Sequence, residues 1–255
     1  LRTRRQRQMC IRDSKNINYL KHEFNSIEWN GQKLDNKIIL ILAEQGFGDI
    51  ILFKRYIDVL FKFDQVIFLC NEKLNYIFKE SKFKIVNKIE DVGYHDFYQH
   101  LLSLPKIYFE KENKFCKRIN YLPNNHENDL KWKLKLNKLK KTKIGLAWQG
   151  NKNYLGDTKR SIPLIKLDKI ILNNNFDFIS LQKDSGLEQI KNNYKNKIYD
   201  FSSELDLNDE AFKDTISILK NVDFLITIES SIAQLAGTMG IKTYLLLSYN
   251  PYWIW

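Results

Sequence analysis

Five apolar residues followed by a glycine-rich turn constrain the fold of this chain more than any other stretch. Residues 38–42 are all isoleucine or leucine, which predicts a buried strand of the kind found in parallel sheets covered on both faces. Gly46 and Gly48 then allow a tight turn, and apolar residues from Ile50 to Phe61 recur at helical spacing. Strand, turn and helix predict the first half of a βαβ unit, whose ligand edge is at the carboxyl end of the strand.

Asp49 lies where this predicted helix begins, and two interpretations of its carboxylate compete. It can be the helix N-cap, which accepts hydrogen bonds from the first free backbone N–H groups. It can also be a general base, or a ligand of a substrate hydroxyl, at the lip of a cleft. Sequence spacing alone does not separate the two.

Alternating strands and helices continue along the chain and predict an α/β protein with parallel sheets. The first series comprises strand 37–43, helix 49–63, strand 65–70, helix 72–80 and strand 83–87. The second comprises strand 143–148, helix 164–172, strand 176–181, helix 185–194, strand 197–201, helix 209–220 capped by Asn208, strand 223–228, a helix from Ser230 or Ser231 to Gly240, and strand 243–247.

The start of the last predicted helix is a second candidate binding place. A Ser230-Ser231 turn after a strand presents hydroxyls, free N–H groups and the positive end of the helix dipole, which together suit a phosphate. Arg160 and Lys183, on other strand-end loops of the same half, could add positive charge. Ordinary helix capping explains the same serines without a ligand.

Composition argues against several classes of site. The three cysteines, Cys10, Cys70 and Cys116, show no CxxC spacing, which favours a reducing, cytoplasmic compartment over a zinc site or a disulfide framework. His95 and His100 have no third ligand nearby, so we expect no metal site. No apolar run approaches the roughly 18 residues of a transmembrane segment.

The positive charge of the chain has two sources. Residues 1–14 carry five arginines against one aspartate and contribute +4 of the net charge of +11. They lack the apolar region of a signal peptide and end in a stretch that resembles translated sequencing-adapter read-through, so we treat them as a non-native segment. Residues 131–143 interleave lysine with apolar residues, which is typical of a solvated face whose lysine stems cover apolar surface. A nucleic-acid or interfacial stripe is the alternative.

Several motifs in fixed order resemble the glycosyltransferase domain of bacterial proteins that carry tetratricopeptide repeats. They are AEQGFGD (43–49), SLP (103–105), NYLP (120–123), GLAWQGN (145–151), RSIPL (160–164), SLQK (180–183) and the stretch 223–247. That domain is similar to the heptosyltransferase-like (family 9) and O-linked N-acetylglucosaminyltransferase groups. The resemblance implies a GT-B fold, in which two Rossmann-like domains face each other across a cleft. It also implies metal-independent transfer of a sugar from a nucleotide-sugar donor, held mainly by the second domain, with no other cofactor.

The resemblance also implies domain limits and partners. We expect a connecting segment at 15–36, an N-terminal acceptor domain at 37–125, a linker at 126–142 and a C-terminal donor domain at 143–255. The acceptor would be a protein or a glycan or lipid-linked molecule, and no nucleic acid is expected. No tetratricopeptide repeat is visible in 15–36, and the family continues beyond Trp255, so both ends are expected to be truncated.

Residue roles carry over from the family position by position. Asp49 matches the acidic residue of the Gly-x-Gly-Asp loop and would deprotonate the acceptor hydroxyl. Gly46 and Gly48 of the same loop would contact the phosphates of the donor. Asn151, Arg160 and Lys183 match polar positions of the donor domain. Either of the two cations could neutralise the departing diphosphate.

The stretch over the donor phosphates departs from the family pattern. Glu229-Ser230 stands where the family has Asp-Thr, followed by Ser231, and Gln234 stands where it has His. Glutamine can donate a hydrogen bond to a phosphate, but it can neither carry charge nor act as an acid.

Three other functions remain open at this point. A catalytically inactive domain that binds only nucleotide or a partner is compatible with Gln234. A dinucleotide-binding oxidoreductase is suggested by Gly46-x-Gly48, although the third glycine of that fingerprint would fall at Ile51. A nucleic-acid binder would rest on the positive charge alone.

Overall fold

The computed structural model describes residues 25–44, 46–154, 156–207, 210–252 and 254–255. Its strands are β1 Ile27–Glu28, β2 Ile39–Leu42, β3 Val66–Leu69, β4 Lys84–Val86, β5 Phe97–His100, β6 Thr142–Ala147, β7 Phe176–Ser180, β8 Ile198–Tyr199, β9 Phe224–Ile228 and β10 Thr243–Leu246. Its α-helices are α1 Phe47–Phe53, α2 Arg55–Leu60, α3 Asn75–Phe78, α4 Leu104–Glu112, α5 His126–Leu136, α6 Asp157–Arg160, α7 Asp168–Ile171, α8 Leu187–Gln189, α9 Lys213–Leu219 and α10 Ser231–Met239.

Two compact units divide the chain, and neither is continuous in sequence. The described residues up to Glu72, together with Ser81–Lys117 and Tyr252–Trp255, form the first unit. Lys73–Glu80 and Arg118–Pro251 form the second unit. No helix in the described ranges is both long enough and apolar enough to span a membrane.

The first unit is built on a five-stranded parallel sheet in the order β1-β5-β2-β3-β4. All four residues of β2 are buried, because strands on both sides and helices on the faces cover it. Its core includes Leu40, Leu42, Ile67, Leu69, Val86 and Val92. The carboxyl ends of β2 and β5 are adjacent, since Leu42 pairs with His100.

The second unit is built on a five-stranded parallel sheet in the order β10-β9-β6-β7-β8. Trp148, which directly follows β6, is fully buried in its core. Helix α5 buries Asn128, Trp132 and Leu136, which lie four residues apart on one face. This helix occupies much of the stretch 126–142.

Most predicted strands and helices are present, but the limits of several differ from the prediction. The predicted helix 49–63 begins at Phe47 and is interrupted at Lys54, so it forms α1 and α2. Of the predicted helix 209–220, the part described from Glu210 onward is α-helical at Lys213–Leu219. Asn208, its predicted cap, lies outside the described residues, as does the suspected artefact 1–14.

The start of α9 is stabilised by a residue that sequence spacing did not suggest. The carboxylate of Asp206 accepts hydrogen bonds from the N–H groups of Asp214 at 2.6 Å and of Thr215 at 3.1 Å. The Asp214 carboxylate accepts in return from the Asp206 N–H at 2.9 Å. A reciprocal pair of aspartates therefore satisfies the helix terminus.

Candidate functional site

The first candidate site is the start of α1, at the carboxyl edge of the first sheet. Gly46, in extended backbone conformation, is the N-cap, and Asp49 lies in the first turn. The Asp49 carboxylate accepts hydrogen bonds from the Gly46 N–H and from the Tyr252 hydroxyl. Asp49 is therefore not the N-cap itself, but its carboxylate satisfies the N–H of the cap residue, as the third-position residue of a capping box does.

The charge state of Asp49 is unusual for an aspartate. Burial raises its pKa to about 6, against the opposing effect of the two hydrogen bonds, and the nearby Glu44 carboxylate raises it further. A carboxylate with a pKa just below neutral pH is largely ionised at pH 7 and can still take up a proton. This combination suits a general base.

Glu44 and His100 complete this edge, and sequence reasoning assigned neither of them to the site. Glu44 follows β2 and is fully buried, while His100 is the last residue of β5. Oε2 of Glu44 lies 3.2 Å from Nδ1 of His100. The available signal was the glutamate within the AEQGFGD motif, a charged residue directly after a buried strand.

The second candidate site is the start of α10, at the carboxyl edge of the second sheet. Ser230 is the N-cap by its backbone, but its side chain makes no cap hydrogen bond, and Ser231 is the first helical residue. The Ser230 Oγ lies 3.4 Å from the Oγ1 of Thr227. The helix ends at Gly240 in left-handed conformation, as predicted. Its N-terminal N–H groups are therefore not capped by the side chain of Ser230.

Gln234 lies in the second turn of α10 and is 8% exposed. Within the described part of the chain, its side-chain amide makes no hydrogen bond, so the amide N–H and C=O groups can both bind a ligand. Glu229 is also buried, and its Oε1 accepts the Ser248 N–H at 2.9 Å. Glu229 thus ties the loop after β10 to the end of β9.

Arg160 is held in place by three groups of the second unit. Its Nε donates to Asp157 Oδ1 at 3.1 Å, its Nη1 donates to the Glu229 carbonyl at 2.9 Å, and its guanidinium stacks 4.8 Å from the centre of the Tyr154 ring. A methyl group at Gly150 would collide with both Asp157 and Arg160, so the backbone of Gly150 approaches this pair closely. The structure thus brings Arg160 and Glu229 together.

Asn151 and Lys183 have local partners instead. The Asn151 Oδ1 accepts the Asn153 N–H at 2.9 Å, and the Lys183 Nζ donates to the Asp206 carbonyl at 2.5 Å. Lys183 is therefore directed to the loop before α9 in this structure. Its predicted contact with a diphosphate would require this bond to break.

Gln182 is a further residue that sequence reasoning did not assign to the site. Its side chain is buried and accepts the N–H groups of Trp148 and Gln149 at 3.3 and 3.2 Å. Its Nε2 donates to the Gln149 carbonyl at 2.8 Å. One amide thereby fixes the backbone after β6 and with it the loop that contains Gly150.

No group of three or more His, Cys, Asp or Glu side chains in the described ranges could hold a metal ion. His95 and His100 have other contacts: the His95 Nδ1 lies 3.0 Å from the Gly93 carbonyl, and His100 pairs with Glu44.

The fold has clear likenesses among solved structures, although no protein-family model and no curated protein sequence matches the chain. A family 9 glycosyl transferase from Veillonella parvula superposes with a TM-score of 0.62 at 14% identity, over 88% of this chain and 87% of that one. The ADP-heptose lipopolysaccharide heptosyltransferase II of E. coli gives 0.51 at 8% identity, over 82% and 84%.

A third likeness is to the dodecameric iron-containing heptosyltransferase TibC, solved in complex with ADP-D-β-D-heptose. It gives a TM-score of 0.54 at 12% identity, over 85% of this chain and 60% of TibC. At such identities these likenesses establish the fold alone. The predicted fold class is confirmed: the chain is an α/β protein with two parallel sheets, like those of GT-B heptosyltransferases.

Proposed function

We propose that this protein is a glycosyltransferase that moves a sugar, of the hexose or heptose type, from a nucleotide-sugar donor to an acceptor hydroxyl. The observation that carries the proposal is Asp49: a carboxylate with a pKa of about 6, at the carboxyl edge of a parallel sheet, in a fold shared with heptosyltransferases. Active sites are where burial and neighbouring charges shift pKa values in this way.

In the proposed reaction, Asp49 takes the proton of the acceptor hydroxyl while that oxygen forms a bond to the anomeric carbon of the donor. The bond between the anomeric carbon and the phosphate oxygen breaks, and the nucleoside diphosphate leaves with the electron pair. The proton ends on the Asp49 carboxylate and passes to solvent after release of the product. The balance requires no oxidant or reductant.

The second unit would bind the donor. The N-terminus of α10 would offer its N–H groups, the hydroxyls of Ser230 and Ser231, and the amide of Gln234 to the diphosphate. Arg160 would add positive charge through the part of its guanidinium that its protein partners leave available. Five other residues stay predictions as donor contacts, namely Gly46, Gly48, Asn151, Lys183 and Glu229. Metal-independent transfer also stays a prediction.

A nucleotide-binding domain without transfer activity is the second candidate. It is favoured by the neutral Gln234 and by the engagement of Arg160 with Asp157 and the Glu229 carbonyl, since both reduce the positive charge offered to a leaving diphosphate.

The proposal has further parts: association with tetratricopeptide repeats, a bacterial source, a cytoplasmic location, and an acceptor that is a protein, a glycan or a lipid-linked molecule. The free thiols of Cys70 and Cys116 support a reducing compartment.

Thermal-shift titration with ADP, UDP, GDP, CMP and NADH tests donor binding first. A nucleotide at about 100 times its dissociation constant stabilises a protein by about 2.7 kcal/mol, which raises Tm by several degrees for a chain of this size. We expect a shift with one nucleoside diphosphate and none with NADH. A shift with NADH alone would contradict the proposal.

The Asp49→Asn variant then separates the two candidates. We expect release of the nucleoside diphosphate from the matching nucleotide sugar to fall by about 10²- to 10⁴-fold, with an unchanged nucleotide thermal shift. Asp91→Asn, which changes an exposed carboxylate of the same unit, is the matched control. Undiminished transfer in Asp49→Asn would remove Asp49 from the role of base, and absence of transfer by the unaltered protein with every donor that binds would favour the second candidate.

A further inference from the structure

The outward face of helix α5 carries two exposed leucines among lysines, and the proposed reaction does not use it. Leu130 and Leu134 lie about one turn apart, on the side of the helix opposite the buried Trp132. Their exposed fractions are 56% and 61%. The stems of the neighbouring lysines therefore leave both leucines largely uncovered, which favours the interfacial interpretation of residues 131–143.

The other face of α5 fixes the helix in one orientation. The Trp132 Nε1 donates to Oδ1 of Asp214 at 2.5 Å, and the Asn128 Nδ2 donates to the Ser217 Oγ at 2.9 Å. Both acceptors belong to α9. Helix α5 therefore cannot rotate to bury its two leucines without breaking these hydrogen bonds.

The charge around the leucines has a single sign. Residues 130–141 contain six lysines and no acidic residue. Two of these lysines have acidic partners within the second unit, but Lys133 and Lys138 are exposed and form no ion pair with any described residue. The acidic residues of α5, Glu127 and Asp129, lie in its first turn, and Asp129 pairs with a lysine just after α9. The face is thus apolar at its centre and positively charged at its margins.

These two features together favour one kind of partner. A second copy of this chain would bring an equally positive face against this one, and like charges repel. A nucleic acid would attract the lysines through its phosphates but would offer the leucines no apolar surface. An anionic lipid bilayer matches both features, because its headgroups attract lysine and the boundary with its acyl chains accepts leucine.

We propose that the outward face of α5 binds the surface of an anionic phospholipid bilayer. Leu130 and Leu134 enter the boundary between headgroups and acyl chains, and Lys133 and Lys138 lie among the headgroup phosphates. The helix lies along the surface, and the contact is reversible because it buries only two large apolar side chains. This inference goes beyond glycosyl transfer and does not depend on it, since binding is measured without donor or acceptor.

Co-sedimentation of the full chain with lipid vesicles tests the proposal. We expect binding to vesicles of equal parts phosphatidylcholine and phosphatidylglycerol, little binding to phosphatidylcholine alone, and a loss of binding as salt is added. The leucine variant, Leu130→Gln with Leu134→Gln, should bind the mixed vesicles about 10- to 100-fold more weakly. The lysine variant, Lys133→Gln with Lys138→Gln, should bind them about 30-fold more weakly. Glutamine is a good helix former, so circular dichroism should show the same helix content in both variants.

Two control variants change similar side chains elsewhere in the second unit. Ile165→Gln with Leu172→Gln alters two similarly exposed apolar residues, and Lys166→Gln with Lys195→Gln alters two exposed lysines. We expect neither control to change binding. The arginines of residues 1–14 are present in every variant, so their attraction to anionic lipid is the same throughout the comparison.

Weaker binding in both α5 variants and in neither control supports the proposal. Absence of binding to the mixed vesicles, equal binding by all variants, or an equal loss in the controls overturns it. A loss in the lysine variant alone, with a matching loss of binding to a duplex oligonucleotide, would assign the face to nucleic acid and also overturn it. So would a dimer in sedimentation velocity that the leucine variant does not form, because the face would then bind a second copy.

Discussion

The carboxyl edges of the two sheets differ in how their charged side chains are stabilised. At the first edge, burial raises the pKa of Asp49 to about 6, and the Glu44 carboxylate adds a smaller effect in the same direction. At the second edge, Arg160 is matched to Asp157 and to a backbone carbonyl, and Glu229 accepts a backbone N–H. At the first edge, burial disfavours the negative charge of Asp49, whereas at the second edge the charge of Arg160 is balanced by protein partners.

This difference separates two kinds of chemistry. A group that must change its protonation state gains from an environment in which neither state is strongly preferred. A surface that must recognise a ligand of fixed charge gains from side chains held in one geometry by their neighbours. The comparison therefore supports proton transfer by the first unit and ligand recognition by the second.

Removing a charge from the second edge should give the largest loss of stability. In Arg160→Met the aliphatic bulk stays, but the buried Asp157 loses its cation, and among the described residues its carboxylate keeps the hydrogen bond from the Ser161 hydroxyl. We expect a loss of about 2–3 kcal/mol and a fall in Tm of roughly 4–12 °C, measured by thermal unfolding at pH 7. Lys159→Met, at an exposed neighbour, should change Tm little; equal effects in the two variants would contradict the comparison.

Removing the charge of Asp49 at the first edge should raise the stability of the fold instead of lowering it. Because the folded-state pKa of Asp49 is raised to about 6, its ionisation destabilises the fold as pH rises from about 4 to 6. Asn at position 49 avoids this cost, and its Oδ1 can still accept a hydrogen bond. We expect Asp49→Asn to raise Tm by several degrees at pH 8, a gain on the order of 1–3 kcal/mol, and to show no gain at pH 4. A lower Tm at pH 8 would mean that ionised Asp49 stabilises the fold.

Asp96, at the opposite, amino edge of the first sheet, provides a carboxylate whose pKa is shifted in the other direction. Its substitution should give the smallest change in stability of the three. The Ile38 N–H at 2.9 Å and the Lys37 ammonium at 2.9 Å lower the pKa of Asp96 to about 2. A lowered pKa contributes stability above pH 4 that disappears as pH falls toward 2. Asp96→Asn should therefore lower Tm at pH 7 and leave it unchanged near pH 2, in thermal scans across that range. A difference that persists at pH 2 would show that geometry rather than charge is responsible.

The strands with continuous apolar runs could be predicted from the sequence, and the less apolar strand β5 could not. Residues 38–42 and 224–228 are apolar enough to indicate buried strands in a parallel sheet. Phe97–His100 contains glutamine and histidine and lacks a clear period, yet it lies between β1 and β2 in the sheet. Long-range pairing, which no local pattern contains, determines its conformation.

The candidate site was predictable only where one short motif contains it. The position of Asp49 at a helix start and that of Ser230 at another followed from strand and turn patterns. The Tyr252 hydroxyl did not, because Tyr252 is far from Asp49 in sequence, and neither did the pairing of His100 with Glu44, because His100 lies on another strand. Local spacing cannot report contacts that depend on tertiary structure.

The contact of Asp49 with Tyr252 also bears on how the protein is made. The first unit contains Tyr252–Trp255, which the ribosome adds after the whole of the second unit. The second unit can therefore complete its sheet during synthesis, whereas the surroundings of Asp49 are complete only when Tyr252 has emerged. The proposed base would therefore acquire its final surroundings late in synthesis, after the residues of the second unit have been added.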